Sequence, residues 1–368
     1  MKHDRRAVLR GMGTVGIAGM AGCLVEDGGG DDENGDGTPE PDPTNVGMVY
    51  ALGGLGDQSF NDMAHEGIKQ AKQDMNVEFQ NAEPERDEDF GTLQQQFASS
   101  SNPDYDLVCC IGFAQTSALV ENAPQFSDQN FMLVDSVAET EDGEMIDNVA
   151  NYLFQEPEGS FQVGHLAGQL TTRNFDAGAG STNDDKVVGF VGGLEIDLIK
   201  GFEAGYRAGV AHADDSIEVR SAYAGSWSDP STGNEIAVSM IDEGADVIYH
   251  AAGGTGVGVF RAAQDEGVYA IGVDADQSRS ASEYSDVIVA SMVKHVDTAV
   301  YTSVENVVND NHQGGTTTSL GLEQDGVEAV IGQDFEGEIP DDVTSALEDS
   351  RQAIIDGDIE VPQHPDDL

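Results

Sequence analysis

Basic residues are scarce in this sequence: 16 Lys and Arg stand against 69 Asp and Glu, which gives a formal net charge of −53 over 368 residues. Such a surface repels phosphate backbones, so the composition argues against nucleic acid as a partner. The acidic residues are spread through regions that also carry apolar, strand-like runs, which indicates a folded chain. Because molar salt shortens the Debye length to about 3 Å, we interpret the acidity as an adaptation to a hypersaline environment.

Cysteine is also scarce, with Cys23, Cys109 and Cys110 as the three residues of this type. The last two lie in the apolar run 107–111, which is typical of a buried strand where free cysteine packs as a small apolar residue. No CxxC or His/Cys ligand spacing is present, so we expect no metal and no cofactor. A GxSxG elbow and a P-loop are lacking as well, and the glycines at 254–258 do not have GxGxxG spacing. The motifs therefore do not predict an enzyme.

The first residues predict export across a membrane. Two arginines at positions 5 and 6 precede a weakly apolar, Gly-rich stretch over 11–22, the arrangement of a twin-arginine signal. Small residues lead into Cys23, as in a lipobox. We therefore predict a signal over 1–22 and lipid attachment at Cys23. A disordered acidic tether over 23–45 would then hold the protein at the extracytoplasmic face of the cell membrane.

From residue 46 onward, apolar runs typical of buried strands alternate with amphipathic stretches typical of helices. The runs lie at 46–52, 77–81, 107–111, 131–135, 149–154, 187–191, 217–223, 247–252, 269–273 and 287–292. This alternation predicts an α/β fold with parallel sheets wrapped by helices. So many strands exceed one sheet, and we expect two Rossmann-like lobes with a cleft between them. We divide the chain into 46–152 plus 274–315 for lobe 1, 153–273 plus 316–356 for lobe 2, and a tail at 357–368.

Ligands bind beyond the carboxyl ends of the strands in such sheets. Trp227 is the single tryptophan and lies in a polar, Gly-flanked loop, and Lys294 is one of the few basic residues. Other interpretations of these positions remain open: Trp227 as a lid on the core, Phe60 as a core residue of its helix, and Asp274 as a helix cap. The candidate ligand-binding residues in the strand-end loops are Asp57, Phe60, Asn61, Asp135, Trp227, Gly253, Asp274 and Lys294.

In these loops the chain resembles the basic membrane protein family, the nucleoside-binding lipoproteins of ABC importers. The resemblance covers about residues 46–356 and implies the two-lobed fold of type I periplasmic binding proteins. The matching segments, in order, are Gly56-Asp57-Gln58-Ser59-Phe60-Asn61, Ile111-Gly112-Phe113, Val134-Asp135, Gly192-Gly193, Lys200-Gly201-Phe202-Glu203-Ala204-Gly205-Tyr206-Arg207-Ala208-Gly209, Trp227-Ser228-Asp229-Pro230, Ala252-Gly253-Gly254-Thr255-Gly256, Gly272-Val273-Asp274-Ala275-Asp276-Gln277 and Ser291-Met292-Val293-Lys294.

The resemblance implies a nucleoside, most often a purine one, clasped between the lobes and delivered to ABC permease subunits. The family positions that stack on the base fall on Phe60 and on Trp227, where Phe or Tyr is common. Those that bind the base edge fall on Asn61 and Asp135, and those that hold the ribose fall on Gly253, Asp274 and Lys294. The residues alone leave open a sugar or another small solute as the ligand, a receptor that signals, and a nucleosidase-type enzyme.

Overall fold

Strands and helices alternate from Thr44 onward in the computed structural model, which describes residues 42–368. The predicted signal, Cys23 and nearly all of the tether lie outside the described residues. Within 42–368, no helix combines the length and apolar character needed to cross a bilayer. The strands are β1 (Thr44–Val49), β2 (Val77–Ala82), β3 (Leu107–Cys110), β4 (Asn130–Val134), β5 (Val149–Phe154), β6 (Asp176–Ala177), β7 (Gly180–Ser181), β8 (Val187–Gly192), β9 (Glu218–Tyr223), β10 (Ala245–Ala251), β11 (Tyr269–Asp274), β12 (Ile288–Lys294), β13 (Thr316–Leu320) and β14 (Val327–Ile331).

The helices cover the faces of the sheets. They are α1 (Phe60–Asp74), α2 (Asp89–Ala98), α3 (Thr116–Asn122), α4 (Glu156–Thr171), α5 (Asp197–Ala213), α6 (Pro230–Asp242), α7 (Val257–Glu266), α8 (Gln277–Ser280), α9 (Val296–Val308) and α10 (Asp341–Ile355). In the first lobe α1 packs against α9 and α2 against α3. In the second, α4 packs against α5 and α10, and α6 packs against α7.

Two six-stranded sheets form the cores of two lobes. The first has the order β13-β5-β4-β3-β1-β2 and is parallel throughout. The second has the order β14-β12-β11-β10-β8-β9 and is parallel except for the β12–β14 pair. This arrangement confirms the predicted α/β fold with two Rossmann-like lobes.

Helices cover both faces of each sheet, so the residues of a central strand are buried on both sides and the strand is a continuous apolar run. Every residue of β3 is buried, and Cys109 and Cys110 have no exposed surface, as expected for small apolar side chains. The helices show the complementary pattern. In α1 the buried residues include Ala64, Ile68 and Ala71, spaced by four and three positions along one face.

Three chain crossings join the lobes side by side. They lie at Gln155 between β5 and α4, at His295 between β12 and α9, and at residues 321–326 between β13 and β14. The Gln155 N–H donates to Leu320 O at 2.9 Å, and the His295 N–H donates to Gly326 O at 2.9 Å. These backbone bonds tie the crossings into one hinge.

Sheet membership differs from the expected division at two places. The chain was expected to return to lobe 1 near Asp274, but β12 lies between β11 and β14 in the second sheet, and the return comes at His295. Conversely, β13 pairs with β5 in the first sheet, although 316–356 was assigned to lobe 2. The Thr-rich β13 is largely exposed and carries little apolar signal, so its place is set by strand pairing rather than by burial.

Candidate functional site

A cavity of about 480 Å³ lies between the two lobes, at the carboxyl ends of strands from both sheets. This is the position that open parallel sheets use for ligands, and the volume falls within the range of about 300–1,000 Å³ usual for small-molecule sites. All eight residues singled out from the sequence border it. The first lobe contributes Asp57, Phe60, Asn61 and Asp135, and the second contributes Trp227, Gly253, Asp274 and Lys294.

The two aromatic candidates reach the cavity from opposite lobes, and both are half-buried. Phe60 opens α1, and its ring packs beside Gly112, where a Cβ would lie 3.4 Å from ring atom Cε1. Trp227 follows β9, and its carbonyl accepts from the Thr255 N–H at 3.1 Å. A side chain at Gly193 would overlap the indole ring. The neighbouring glycines therefore create the space in which each ring stands.

Asp57 shapes the loop that carries Phe60. Its carboxylate oxygens accept from three backbone N–H groups at the start of α1, those of Ser59 at 3.0 Å, Asn61 at 2.9 Å and Asp62 at 3.2 Å. Burial raises the pKa of Asp57, while these backbone donors oppose the rise. A carboxylate at a helix N-terminus is favoured by the N–H groups that the helix leaves without partners.

Asn61 shapes the same loop from inside. Its side chain is 1% exposed. The carboxamide oxygen accepts from the Ala51 N–H at 2.9 Å, and the amide nitrogen donates to Gly54 O at 3.1 Å. The polar atoms of Asn61 are thus engaged by the backbone of the loop, which fixes the position of the neighbouring Phe60.

A buried ionic cluster lies at one wall of the cavity, which its members Asp135 and Lys294 border. Lys294 Nζ lies 2.6 Å from Asp135 Oδ1 and 2.9 Å from Glu156 Oε1, and the three side chains are 2%, 4% and 6% exposed. These two carboxylate oxygens have no hydrogen-bond donor of good geometry in the described part of the chain, so the ammonium group is their counter-charge. Lys294, the residue predicted to hold a ribose beside Asp274, makes its direct ion pairs with Asp135 and Glu156. The ammonium also lies 5.0–5.9 Å from the ring centres of Phe60, Phe154 and Phe202.

Burial controls the ionisation of this cluster. It raises the pKa of Glu156 to about 7, opposed by the charge of Lys294 and reinforced by that of Asp135. Burial likewise raises the pKa of Asp274 to about 6, opposed by Lys294 and by the Ser59 hydroxyl. Burial alone would lower the pKa of Lys294, but the nearby carboxylates outweigh it and raise that pKa above its ordinary value. The lysine therefore stays charged.

Sequence reasoning missed several residues of the site. Glu156 comes just after β5, a charged residue at the carboxyl end of a buried strand, and Lys294 at the end of β12 was noticed for that same signal. Glu85 and Asp87 border the cavity from the loop after β2, and Phe202 borders it from α5. Phe202 lies in the matching segment 200–209, but no local pattern shows that Phe202, Glu85 or Asp87 reaches the cavity, because that depends on tertiary packing.

The assembled site suits a polar molecule that carries no negative charge. Aromatic rings from both lobes provide flat apolar surface, and five carboxylates, those of Asp57, Glu85, Asp87, Asp135 and Asp274, border the cavity together with one ammonium. Within residues 42–368, no group of three or more His, Cys, Asp or Glu side chains is arranged to hold a metal ion. The chemistry that the site provides is stacking and charge-assisted hydrogen bonding.

The chain is similar to known substrate-binding proteins of ABC transporters. Residues 44–365 match the family model described as Bmp, ABC transporter substrate-binding protein PnrA-like. The chain is 31% identical over 368 residues to the ABC transporter nucleoside-binding protein BmpA of Lactococcus lactis subsp. cremoris, covering 94% of this chain and 95% of that protein. It is 34% identical over 326 residues to an uncharacterised lipoprotein of Pyrococcus abyssi, covering 86% of this chain and 74% of that protein.

Among solved structures, a solute-binding protein of an ABC transporter system from Aeropyrum pernix K1 superposes with a TM-score of 0.76 at 27% identity, covering 88% of this chain and 95% of that one. These matches confirm the resemblance seen in the strand-end loops. They also agree with the absence of enzyme motifs, since the family consists of substrate-binding transport proteins. The chain belongs to the Bmp family of PnrA-like substrate-binding proteins of ABC transporters.

Proposed function

We propose that this protein binds a nucleoside, and a purine nucleoside in particular, in the cleft between its lobes and delivers it to the permease of an ABC importer. The observation that carries the proposal is the pair of rings, Phe60 and Trp227, that border one cavity from opposite lobes. The printed name of the Lactococcus lactis relative, a nucleoside-binding protein, supports it.

The base stacks between the two rings. Base–aromatic stacking is worth roughly 1–3 kcal/mol per base and tolerates different bases, because every base has a flat face. A bicyclic purine offers more stacking area than a pyrimidine, and the large indole of Trp227 matches that area. Both rings are held by backbone contacts and adjacent glycines, so little ordering is needed when the ligand arrives.

The ribose lies toward Asp274 and Lys294. A carboxylate accepts hydrogen bonds from hydroxyl groups, and charged partners make such bonds stronger. An ammonium group has three N–H donors, so beside its contacts with Asp135 and Glu156 we assign Lys294 a further hydrogen bond to a ligand oxygen. Gly253, with a φ of 54°, leaves its backbone open to close approach.

The charges of the cavity favour a nucleoside over a nucleotide. Five carboxylates border the cavity and one ammonium opposes them, so a phosphate group would meet a negative field. A neutral nucleoside does not meet this repulsion. Stacking and buried hydrogen bonds also persist in concentrated salt, where long-range attraction between charges is screened.

Attachment to the membrane completes the proposed role. A lipid on Cys23, after export by a twin-arginine signal, holds the protein at the extracytoplasmic face of the cell membrane. The Pyrococcus abyssi relative, named as a lipoprotein, supports this part of the proposal. Mass spectrometry of the mature protein tests it: the expected result is a diacylglyceryl modification at Cys23, and an unmodified N-terminal region in membrane-extracted protein would contradict it.

The test of the ligand uses Trp227 as its own reporter, since it is the single tryptophan. Guanosine, inosine and adenosine should each change Trp227 fluorescence, and calorimetry should give matching affinities. Ribose alone and the corresponding nucleoside monophosphates should bind at least about tenfold more weakly, because the first lacks the stacking base and the second carries charge.

The variant Phe60→Leu tests whether the ring at position 60 stacks on the base. Phe60→Leu keeps an apolar side chain and removes one stacking ring, so nucleoside affinity should fall by about tenfold while ribose binding stays the same. Tighter binding of a sugar than of any nucleoside, or no response to nucleosides at all, would contradict the proposed function.

A further inference from the structure

Two elements on opposite sides of the cleft are in direct contact. The loop before α1, from the first lobe, meets the end of β11 and helix α8, from the second lobe. The Ser59 hydroxyl donates to Asp274 Oδ2 at 2.6 Å, and the two residues are 0% and 7% exposed. These atoms belong to residues 215 positions apart in sequence, and neither the hinge nor a shared sheet joins them.

A second set of bonds holds the same loop against the second lobe. Gln58 O accepts from Gln277 Nε2 at 3.1 Å and from Ser280 Oγ at 3.0 Å. Gln58 adopts a φ of 55°, in the left-handed region that residues other than glycine rarely enter. Backbone strain of this kind persists where surrounding contacts over-determine the conformation, and it concentrates at ligand sites.

We infer that Ser59 is a positioning residue of the ligand site, which orients the Asp274 carboxylate from the opposite lobe. Its hydroxyl occupies one carboxylate oxygen, and the second oxygen of a side chain that borders the cavity is left for a hydroxyl of the ligand. Because Ser59 directly precedes Phe60, the stacking ring and the carboxylate are fixed relative to one another. The inference rests on the proposed function insofar as the ligand is a nucleoside.

The charges around Asp274 make this role measurable. Asp57 on the loop, Asp135 after β4 and Lys294 on β12 face it, and Tyr249 on β10 lies within electrostatic reach. Burial raises the pKa of Asp274 to about 6, while Lys294 and the Ser59 hydroxyl hold it down. Loss of the hydroxyl therefore raises this pKa further. Since the carboxylate is the better acceptor, ligand affinity should fall as the pH drops through the pKa of Asp274.

The experiment measures affinity for inosine by calorimetry from pH 5 to pH 9. In the unmodified protein, affinity should decline below about pH 6. Ser59→Ala should weaken binding roughly tenfold at pH 7.5, through loss of a hydrogen bond to a charged group, and should move the acid decline to higher pH. Ser280→Ala is the matched control, because it removes a cross-lobe bond to Gln58 O and leaves Asp274 untouched. It should leave the acid decline where it is.

Each outcome decides the matter. Unchanged affinity and pH profile in Ser59→Ala would overturn the inference. Equal losses in Ser59→Ala and Ser280→Ala without a displaced acid decline would overturn it too, because Ser59 would then be only one more contact between lobes. If Ser59→Ala does not fold, Ser59→Cys keeps the volume and weakens the donor, and it should displace the decline in the same direction by less.

A ligand-free measurement separates this inference from the proposed function. Carboxyl ¹³C NMR of the protein without ligand should show a higher Asp274 pKa in Ser59→Ala than in the unmodified protein. If no nucleoside binds, the proposed function fails, and this titration still tests the positioning role. An Asp274 pKa unchanged by the substitution would refute that role even in a protein that binds nucleosides.

Discussion

Lys294 is the residue on which the charges of the cleft depend. It is one of 16 basic residues in the chain, and it lies buried against two carboxylates while a third, Asp274, is within electrostatic reach. Three carboxylates against one ammonium leave an excess of negative charge in a dry environment. Burial raises the pKa of Glu156 and of Asp274, and the neighbouring carboxylates raise them further against the charge of Lys294.

Removal of the ammonium should destabilise the protein strongly. In Lys294→Met the stem is replaced by a side chain of similar length, while Asp135 and Glu156 lose their counter-charge. Breaking a buried pair from one side costs about 3–5 kcal/mol, and denaturant unfolding at pH 7.5 should give a loss of this size in the free energy of unfolding. Without the lysine, the pKa of Glu156 rises further above its unfolded value. The deficit should therefore shrink as the pH falls, because protonated carboxyl groups need no counter-charge.

Lys186 provides the control for this substitution. It pairs with Asp214 at 2.8 Å, but the two side chains are 43% and 28% exposed. Exposed ion pairs contribute little to stability, so Lys186→Met should lower the free energy of unfolding at pH 7.5 far less than Lys294→Met does. If both variants lost a similar amount of the free energy of unfolding, the buried cluster in the cleft would not stabilise the protein more than an exposed ion pair does.

At the scale of elements, the α4–α5 pair holds one wall of the cavity through glycines. A Cβ at Gly164 would overlap Tyr206 O, and one at Gly209 would overlap Phe161 O, so the two helix backbones are in direct contact. Helix α4 begins with Glu156, and α5 carries Phe202. The glycines of the 200–209 motif therefore fix the distance between a charged and an aromatic part of the site.

Gly209→Ala should force these helices apart. Overpacking of this kind costs about 1–3 kcal/mol, which thermal unfolding followed by circular dichroism would register as a lower midpoint. Gly91→Ala in α2 is the matched control, since its Cβ would find ordinary contacts, the nearest at 3.7 Å to Ala118 Cβ. Alanine favours the helix over glycine by up to about 1 kcal/mol, so this variant should be as stable as the parent or more so. A stabilised Gly209→Ala protein would contradict the close packing.

The sequence predicts most of the strands and helices, but it does not predict which side chains of the site pair with one another. The sequence predicts buried strands such as β3, and β12 up to Lys294, because their residues are apolar or small, and it predicts amphipathic helices such as α1 from the spacing of their apolar residues. The edge strand β13 does not, since its partner β5 alone orders it. The strand-end loops identified Phe60 and Trp227. The pairing of Lys294 with Asp135, and of Ser59 with Asp274, depends on how the lobes meet, which no local pattern encodes.

At the scale of the whole molecule, the two lobes meet at the hinge and through side-chain contacts across the cleft. The hinge consists of the three crossings joined by backbone hydrogen bonds. The cross-cleft contacts include the hydrogen bonds of Gln58 and Ser59, next to the stacking ring of Phe60, and the ion pair of Asp135 with Lys294. A ligand held by Phe60 on one side and Asp274 on the other therefore adds to contacts that already favour closure, as in hinge motion around a bound solute.

The net charge of −53 acts on the whole molecule through self-repulsion, and this predicts its response to salt. Ion pairs such as Lys69 with Glu66 are exposed and stabilise little, so they do not offset repulsion among the surplus carboxylates.

The Debye length falls from about 10 Å at 0.1 M salt to about 3 Å at 1 M. The thermal unfolding midpoint at pH 7 should therefore rise steadily as KCl increases from low to molar concentration. Near pH 4, where carboxylates approach neutrality, the same salt series should raise the midpoint much less. A midpoint that is flat or falls with KCl at pH 7 would show that repulsion among carboxylates does not limit stability, and the hypersaline interpretation of the composition would lose its physical basis.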